Sequence, residues 1–323
     1  MREKAVVSLS LDLDDKWTYL KTHGNPSWSE YPSYLHYVVP RILEFLGDRD
    51  VRITFFVVGR DAEAESNRAT LARLSAEGHE IASHSFEHDP WLHLYSEQQL
   101  HDDLARAEQA IKAATGASVE GFRGPGFSTS ESTLRVLDER GYRYDATAFP
   151  NILNPLARSY FLARSNLNAE ERKRRKTLFG SYRDAFRPVK PYCWNVGGDT
   201  LLELPVTTMP LFKVPIHFSY LLYLGTYSPA LSRAYLRFAL SMCRITGTEP
   251  SLLLHPLDFV GGDEETELAF FPAMGMETEK KLALMAKFFD LIRERFRPVT
   301  MGEHIARIAG RPGLRTLQPQ EHL

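Results

Sequence analysis

The sequence predicts an α/β fold built on a mainly parallel sheet. From Ala5 to about Ala146, short runs rich in apolar and β-branched residues alternate with longer segments of helical periodicity. The same alternation returns after residue 200. A length of 323 residues suits a single α/β barrel as well as two ordinary domains, so length alone does not choose between them.

The predicted elements follow the chain in a regular order. The strands are Ala5–Leu13, Ile53–Val58, Glu80–Ser83, Val119–Arg123, Arg143–Ala146, Leu201–Val206 and Ser251–His255. The main helices are Leu100–Thr115, Ala230–Arg244 and Glu277–Arg295. Ser96 and Gln99 have capping-box spacing before the first of these helices, and Gly116 suits the position after its last residue.

Two segments interrupt this alternation of strands and helices. Residues 150–192 contain Pro, Asn and a basic run at 172–176, and they are too long for an ordinary connection. Residues 207–228 are rich in aromatic and aliphatic side chains and are broken by prolines. We therefore expect one domain over 1–323 with insertions at about 150–192 and 207–228.

Composition excludes several classes of protein. A formal net charge of -2 gives no positive electrostatic field that would attract nucleic acid. Cys193 and Cys243 lack the spacing of a zinc or redox motif. The first residues lack the apolar core of a signal peptide, and no stretch approaches the roughly 20 apolar residues that cross a bilayer. We expect a cytoplasmic protein, with peripheral contact at the inner membrane surface as an open alternative.

The first predicted strand carries two carboxylates on one face. A period of two places the side chains of Ser8, Ser10, Asp12 and Asp14 together, opposite the apolar residues. Neighbouring carboxylates are costly unless one is protonated or a cation lies nearby. This pattern suggests a metal or an arginine, whereas a helix cap or a solvated loop is the alternative.

Histidines and an arginine follow other predicted strands. His84 and His88 are four residues apart, a spacing that can hold one divalent ion together with a carboxylate, although surface histidines also occur in loops. Arg123 can orient a carboxylate by paired hydrogen bonds, and Pro125 and Phe127 beside it are candidates for substrate contact. His255 follows a buried strand and is suited to acid catalysis near neutral pH. In a parallel barrel the carboxyl ends of the strands lie at the same rim, so we expect these residues to lie close together.

With these residues the sequence resembles the polysaccharide deacetylase family, also called the NodB-homology family or carbohydrate esterase family four, over most of the chain. Leu11-Asp12-Leu13-Asp14-Asp15 resembles the spaced Asp-x-Asp first motif of cytoplasmic-type members, with Asp15 as an alternative to Asp14. The motifs His-Ser-x-x-His, Arg-x-Pro and Leu-x-His are matched at 84–88, 123–125 and 253–255. The fourth motif has no clear counterpart, and Asp199 and Glu203 are candidates for its acid-orienting residue.

The resemblance implies a distorted (β/α) barrel of about seven parallel strands and a metal-dependent amidohydrolase. It implies that Asp14, His84 and His88 bind one divalent cation, zinc first, with cobalt, nickel or iron as alternatives. Asp12 would act as base, Arg123 would fix it, and His255 would act as acid.

The expected substrate is an N-acetylated or N-formylated amino sugar, a cytoplasmic precursor rather than a wall polymer. Segment 209–227 could lie at a bilayer interface, and a lipid-linked saccharide is then a candidate substrate. The alternative for this segment is core packing or dimer formation. Alternative functions are hydrolysis of a small non-sugar amide or imide, and sugar binding without catalysis.

Overall fold

The computed structural model describes residues 4–165, 167–175, 178, 183–311 and 313–322. Within this part of the chain one sheet contains ten strands. They are β1 (Val6–Leu13), β2 (Thr54–Val57), β3 (Glu80–Ser83), β4 (Gly121–Phe122), β5 (Tyr144–Asp145), β6 (Tyr192–Val196), β7 (Asp199–Glu203), β8 (Ser251–Leu254), β9 (Arg297–Val299) and β10 (Thr316–Leu317).

The helices alternate with these strands along most of the chain. They are α1 (Lys16–His23), α2 (Leu35–Gly47), α3 (Gly59–Glu63), α4 (Glu65–Ala76), α5 (Glu97–Thr115), α6 (Glu131–Glu139), α7 (Asn154–Arg164), α8 (Ala169–Arg174), α9 (Phe218–Tyr227), α10 (Pro229–Thr246), α11 (Thr278–Arg295), α12 (Met301–Ile308) and α13 (Pro319–His322).

Seven parallel strands form the main path of the sheet, in the order β7-β5-β4-β3-β2-β1-β8. This confirms the predicted α/β fold, although the ladder does not close into a complete barrel within the described residues. The other three strands extend it: β9 pairs with β1, while β6 is antiparallel to β7 and parallel to β10. The antiparallel pair was not predicted.

The first strand runs through the centre of the molecule and is buried along its whole length. Val7, Leu9 and Leu11 belong to the largest apolar cluster, which includes the inner faces of α2 and α11. Ser10 and Asp12 lie on the opposite face, where both contact a buried arginine. The alternation along the strand therefore separates the hydrophobic core from a polar interior.

Local signals fix the ends of α5 as predicted. Ser96 accepts a hydrogen bond from the backbone of Gln99, whose side chain accepts one from the backbone of Ser96. Gly116 ends the helix in the left-handed conformation, at a φ of 74°. By contrast, β4 and β5 are only two residues long, shorter than predicted, because the chain turns away at Arg123 and beyond Asp145.

The predicted insertions contain helices. The described part of 150–192 includes α7 and α8, and Lys176 of the basic run lies outside the described residues. Most of segment 207–228 packs inward, since Phe218, Leu221 and Leu222 of α9 belong to the core. No helix among the described residues has the length and apolarity needed to span a membrane. The single-domain organisation stays a prediction.

Candidate active site

The polar side chains that end β1, β3, β4 and β8 meet at one rim of the sheet. Parallel pairing aligns Asp12 with Phe56 of β2, and Ser83 of β3 with Phe122 of β4. The residues that follow these strands are therefore brought to the same edge. Asp14, His84 and His88 are all buried there.

Three of these side chains form a compact group of potential metal ligands. One ligand atom from each of Asp14, His84 and His88 lies within 4.8 Å of the others. Asp14 Oδ1 is 3.0 Å from His88 Nε2 and 3.6 Å from His84 Nε2. Burial raises the pKa of Asp14, but the neighbouring imidazoles of His88 and His84 outweigh this effect and lower it to about 2. Asp14 is thus a carboxylate at neutral pH.

The donor set fits a divalent cation. Two imidazoles and one carboxylate are a common ligand set for catalytic zinc, and other first-row metals accept it. Despite its closeness to His88, Asp14 Oδ1 makes no hydrogen bond to any described residue, and neither does His88 Nδ1. A buried carboxylate oxygen without a donor is costly, and a cation between these side chains would relieve that cost.

Arg123 holds the neighbouring carboxylate of Asp12. Its Nη1 donates to Asp12 Oδ1 over 2.6 Å and to Ser10 Oγ over 3.0 Å, and its Nε donates to the Ala146 carbonyl over 2.9 Å. The guanidinium is fully buried and lies 4.2 Å from the centre of the Phe56 ring. Asp12 Oδ2 takes no part in this pair and faces His84 Nε2 at 3.9 Å.

The backbone of Arg123 also orients a ligand. Its carbonyl lies 2.7 Å from His84 Nδ1, so the neutral ring donates from Nδ1 and turns the lone pair of Nε2 toward Asp14. Burial lowers the pKa of His84, which favours the neutral form that a metal requires. A single residue therefore fixes both the carboxylate of Asp12 and the tautomer of His84.

Asp103 of α5 supports the loop that carries the histidines. Its two carboxylate oxygens accept hydrogen bonds from the backbone N–H groups of Phe86 and Glu87, over 2.9 and 3.1 Å. Ser85 and His88 have positive φ values of 61° and 51°, a conformation that residues other than glycine rarely adopt. Asp103 thus holds a strained turn in the shape that aims His88 inward.

Asp15, the alternative metal ligand, has a different role in the structure. Its Oδ1 accepts from the backbone N–H of Lys16 over 2.7 Å and from that of Tyr34 over 3.1 Å. It is the N-cap of α1 and lies outside the ligand group of Asp14. The geometry therefore favours Asp14.

His255 is held by a serine and a second carboxylate. Its Nδ1 lies 3.0 Å from Ser219 Oγ, which donates over 2.7 Å to Asp258 Oδ1. Asp258 Oδ2 accepts from the backbone N–H of His255 over 2.8 Å. Because the single hydroxyl proton of Ser219 is used by Asp258, the serine oxygen accepts from His255 Nδ1. Asp258, Ser219 and His255 form a chain that we call the acid relay.

A buried lysine fixes the turn that bears the relay. Lys281 of α11 donates from Nζ to the carbonyls of Leu257 and Val260, over 2.8 and 2.7 Å. Burial lowers the pKa of Lys281 to about 8, and the charge of Asp258 opposes this shift. The lysine thus ties both sides of Asp258 to the core helix.

The structure does not bring Asp199 or Glu203 to His255. Asp199 is exposed where the antiparallel β6–β7 pair turns. Glu203 is buried and accepts from the backbone of Ala148 and from Trp194 Nε1, both over 2.9 Å. The expectation for these two residues is corrected: Ser219 and Asp258 occupy the acid-orienting position, because the turn after β8 folds back under α9.

Aromatic residues line the approach to His255. Pro125 begins a short 3₁₀ turn that ends at Phe127. The Phe127 ring stacks on Phe149 at 4.6 Å, and Phe149 meets His217 edge-on at 5.6 Å. Burial, with a smaller contribution from nearby His255, lowers the pKa of His217 to about 3. Phe127 therefore belongs to the aromatic group beside His217, and substrate contact by Pro125 and Phe127 stays a prediction.

Comparison with known proteins agrees with this geometry. The model of a family described as polysaccharide deacetylase matches residues 18–144. This match spans about two fifths of the chain, and over that stretch the chain is similar to the polysaccharide deacetylase family. The chain is 33% identical to a chitin deacetylase of Colletotrichum lindemuthianum over 106 residues, or 32% of this chain and 42% of that protein. It is 23% identical to a peptidoglycan deacetylase of Helicobacter pylori over 159 residues, 48% of this chain and 53% of that one.

The matches span about half or less of these relatives. A solved structure supports the fold over nearly the whole chain. It is a Mycobacterium smegmatis protein that carries a provisional polysaccharide deacetylase name, with a TM-score of 0.63 and 20% identity. It covers 98% of this chain and 95% of its own.

Three supporting residues of the candidate site were not identified from sequence. Asp103 lies in the middle of α5, where an acid is ordinary. Ser219 lies in the segment that we had interpreted as an insertion, 36 positions before His255. Asp258 is the one of the three that the sequence pattern could have identified, because it follows His255 by three residues at capping-box spacing.

Proposed function

We propose that this protein hydrolyses the N-acetyl group of an amino sugar in a metal-dependent reaction. The observation that carries the proposal is that two candidate proton-transfer groups adjoin one set of ligands. Asp12 is fixed by Arg123 and lies beside His84, and His255 is fixed by the acid relay and interacts electrostatically with Asp14. The ligands of the proposed cation lie within 4.8 Å of one another.

Asp14, His84 and His88 would hold a divalent cation, which supplies Lewis-acid polarisation of the substrate carbonyl and acidifies a water molecule. Arg123 leaves Asp12 Oδ2 unpaired, and this oxygen takes the proton of the attacking water. Arg123 places a positive charge beside Asp12, which offsets the repulsion between the neighbouring carboxylates of Asp12 and Asp14.

His255 completes the reaction as the acid. Its Nδ1 donates to Ser219, so Nε2 is the nitrogen that can carry a proton toward the leaving amine. Asp258 accepts the hydroxyl proton of Ser219, so the serine oxygen is left to accept from Nδ1 and holds the ring in one orientation.

The finer proposal concerns the substrate and its compartment. We propose a cytoplasmic saccharide precursor, with a lipid-linked saccharide as the more specific candidate and formyl as an alternative to acetyl. The two cysteines support a reducing compartment, because Cys193 and Cys243 are both free thiols. The native metal is proposed to be zinc.

The test is acetate release by the purified protein, supplied with zinc or cobalt, from N-acetylated mono- and oligosaccharides and from cyclic imides. We expect turnover of at least one amino sugar, and a loss of about a hundredfold or more in His255→Ala. His101→Ala, an exposed histidine of α5, serves as the matched control. Turnover of imides alone would move the function to small-amide hydrolysis, and no turnover with any metal would favour sugar binding without catalysis.

A further inference from the structure

The exposed apolar side chains of this protein are concentrated on one surface. Nine of the eleven large apolar side chains that are exposed among the described residues lie in 146–165 and 204–248. They are Ile152, Leu156, Tyr160, Leu211, Phe212, Tyr227, Leu231, Phe238 and Ile245. Scattered apolar residues are normal on a protein surface, but a contiguous group indicates a contact site.

Contacts between the segments show that the group is continuous. The backbone N–H of Ile152 donates to the carbonyl of Lys213, and the rings of Phe212 and Phe238 are 6.3 Å apart. The hydroxyl of Tyr235 in α10 donates to the carbonyl of Pro215. The start of α7, the turn at 211–213 and the outer face of α10 therefore adjoin one another.

The outer face of α10 is amphipathic in its own right. Leu231, Phe238 and Ile245 are 57%, 51% and 77% exposed and recur every seven residues, so they form a stripe along the helix. Arg237 and Arg244 precede two of them by one residue and are exposed beside the stripe. The inner face of α10 is already packed, with Leu236 and Leu240 in the core.

The charges of these segments have one sign. Residues 146–165 and 204–248 contain no Asp or Glu, although the whole chain has 41 acidic residues. Their basic residues are Arg158, Arg164, Lys213, Arg233, Arg237 and Arg244. We call this surface, formed by the exposed residues of 146–165 and 204–248, the acid-free face.

We infer that the acid-free face binds the surface of an anionic lipid bilayer. Apolar side chains flanked by basic ones are the features that hold a peripheral helix in the interface of such a membrane. Self-association through this face is disfavoured, because a two-fold interface would place the basic residues of one copy against those of the other.

The acid-free face is formed by the same segments that contribute residues to the His255 side of the candidate site. Segments 146–165 and 204–248 contain Phe149, His217 and Ser219, and the last of these contacts His255. A bilayer against the acid-free face would lie next to the segments that form the His255 side of the site. This surface differs from the predicted 209–227 segment, of which only the ends are exposed.

The test is co-sedimentation of the full-length protein, without substrate, with vesicles of phosphatidylcholine alone or mixed equally with phosphatidylglycerol. We expect binding to the mixed vesicles that weakens as salt is raised. Arg237→Gln with Arg244→Gln should weaken it about thirtyfold, because each basic residue near an anionic surface contributes about 1 kcal/mol. Phe238→Ser with Ile245→Ser should weaken it tenfold or more.

The controls are Lys112→Gln on α5 and Leu94→Ser, which are exposed outside the acid-free face and should bind as wild type does. Absence of binding to mixed vesicles, or equal binding by all variants, would overturn the inference. A dimer that only the α10 variants dissociate, without vesicle binding, would assign the face to a second copy instead. Because no turnover is measured, these outcomes are independent of the proposed reaction.

Discussion

The two sides of the candidate site are built in different ways. On the side of Asp12, a fully buried arginine makes four polar contacts and ties together β1, β4 and β5. On the side of His255, the ring is only partly buried and reaches its carboxylate through a serine hydroxyl. The base is thus held rigidly by the core of the sheet, whereas the acid is held by a short turn that Lys281 ties to α11.

This difference indicates which substitutions should lower stability and which should lower only activity. A base must sit at a fixed place beside the attacking water, and burial against Arg123 secures that position. An acid must cycle between two protonation states, and partial exposure allows a proton to be regained from solvent. We therefore expect substitutions on the Asp12 side to cost stability and activity together, and those on the His255 side to cost mainly activity.

The largest effect is expected from removal of a metal ligand. His84→Ala and Asp14→Ser should lose the bound metal and lower kcat/KM by about a thousandfold or more, because two remaining ligands hold a cation poorly. Metal content by mass spectrometry is measured with activity in the same samples. The matched control is Asp15→Ser, which keeps a helix-capping oxygen and should retain the metal. Metal loss in Asp15→Ser but not in Asp14→Ser would exchange their assignments.

The second largest effect is expected from Arg123→Ala, which should lower both stability and activity. Removing one partner of a buried ion pair leaves Asp12 uncompensated, which costs about 3–5 kcal/mol in the free energy of unfolding. Urea denaturation measures this cost. Arg135→Ala, an exposed ion-pair arginine on α6, should change it by about 1 kcal/mol or less. Equal destabilisation by the two variants would show that the buried Arg123–Asp12 pair does not stabilise the fold more than a surface pair does.

Asp258→Asn and Ser219→Ala should leave stability less affected and lower kcat by about ten- to a hundredfold. Without these contacts the His255 ring is no longer held with Nε2 free for the leaving amine, so kcat should fall while KM changes little. The readout is kcat with KM measured alongside, together with urea denaturation. A loss of stability as large as that of Arg123→Ala would mean that the relay only supports the fold.

The smallest effect is expected from a pair of buried carboxyl groups, those of Asp145 and Glu203. Burial raises the pKa of Asp145, and the charge of Glu203 raises it further; burial also raises the pKa of Glu203. A raised native pKa stabilises the fold below the unfolded value, near 4, and this stabilisation is lost as pH rises through the native value.

Asp145→Asn replaces a protonated carboxyl by a permanent donor, so unfolding free energy should fall less toward alkaline pH than in wild type. Urea denaturation across pH measures the slope, with exposed Asp102→Asn as the control. An unchanged slope in Asp145→Asn would show that this pair is ionised in the native protein.

The sequence predicted the strand ends well and the relay poorly. Asp12, Asp14, His84, Arg123 and His255 each follow an apolar run, so parallel topology brings them together without knowledge of any loop. Ser219 gave no such signal, because a serine within an apolar helix is ordinary until the helix is packed on the turn after β8. In the antiparallel β6–β7 pair, β7 overlaps the predicted strand Leu201–Val206, whereas β6 was missed because its residues are only partly buried and follow the segment interpreted as an insertion.

The central claim is that Asp12 is the base and does not hold the metal. Asp12→Asn preserves the shape of the residue and leaves Asp14, His84 and His88 untouched, so metal content should equal that of wild type. Acetate release from the best amino-sugar substrate should fall by about a thousandfold or more, since an amide cannot take the proton of water. Full metal content with lost turnover is the predicted result. Undiminished turnover in Asp12→Asn would contradict the account.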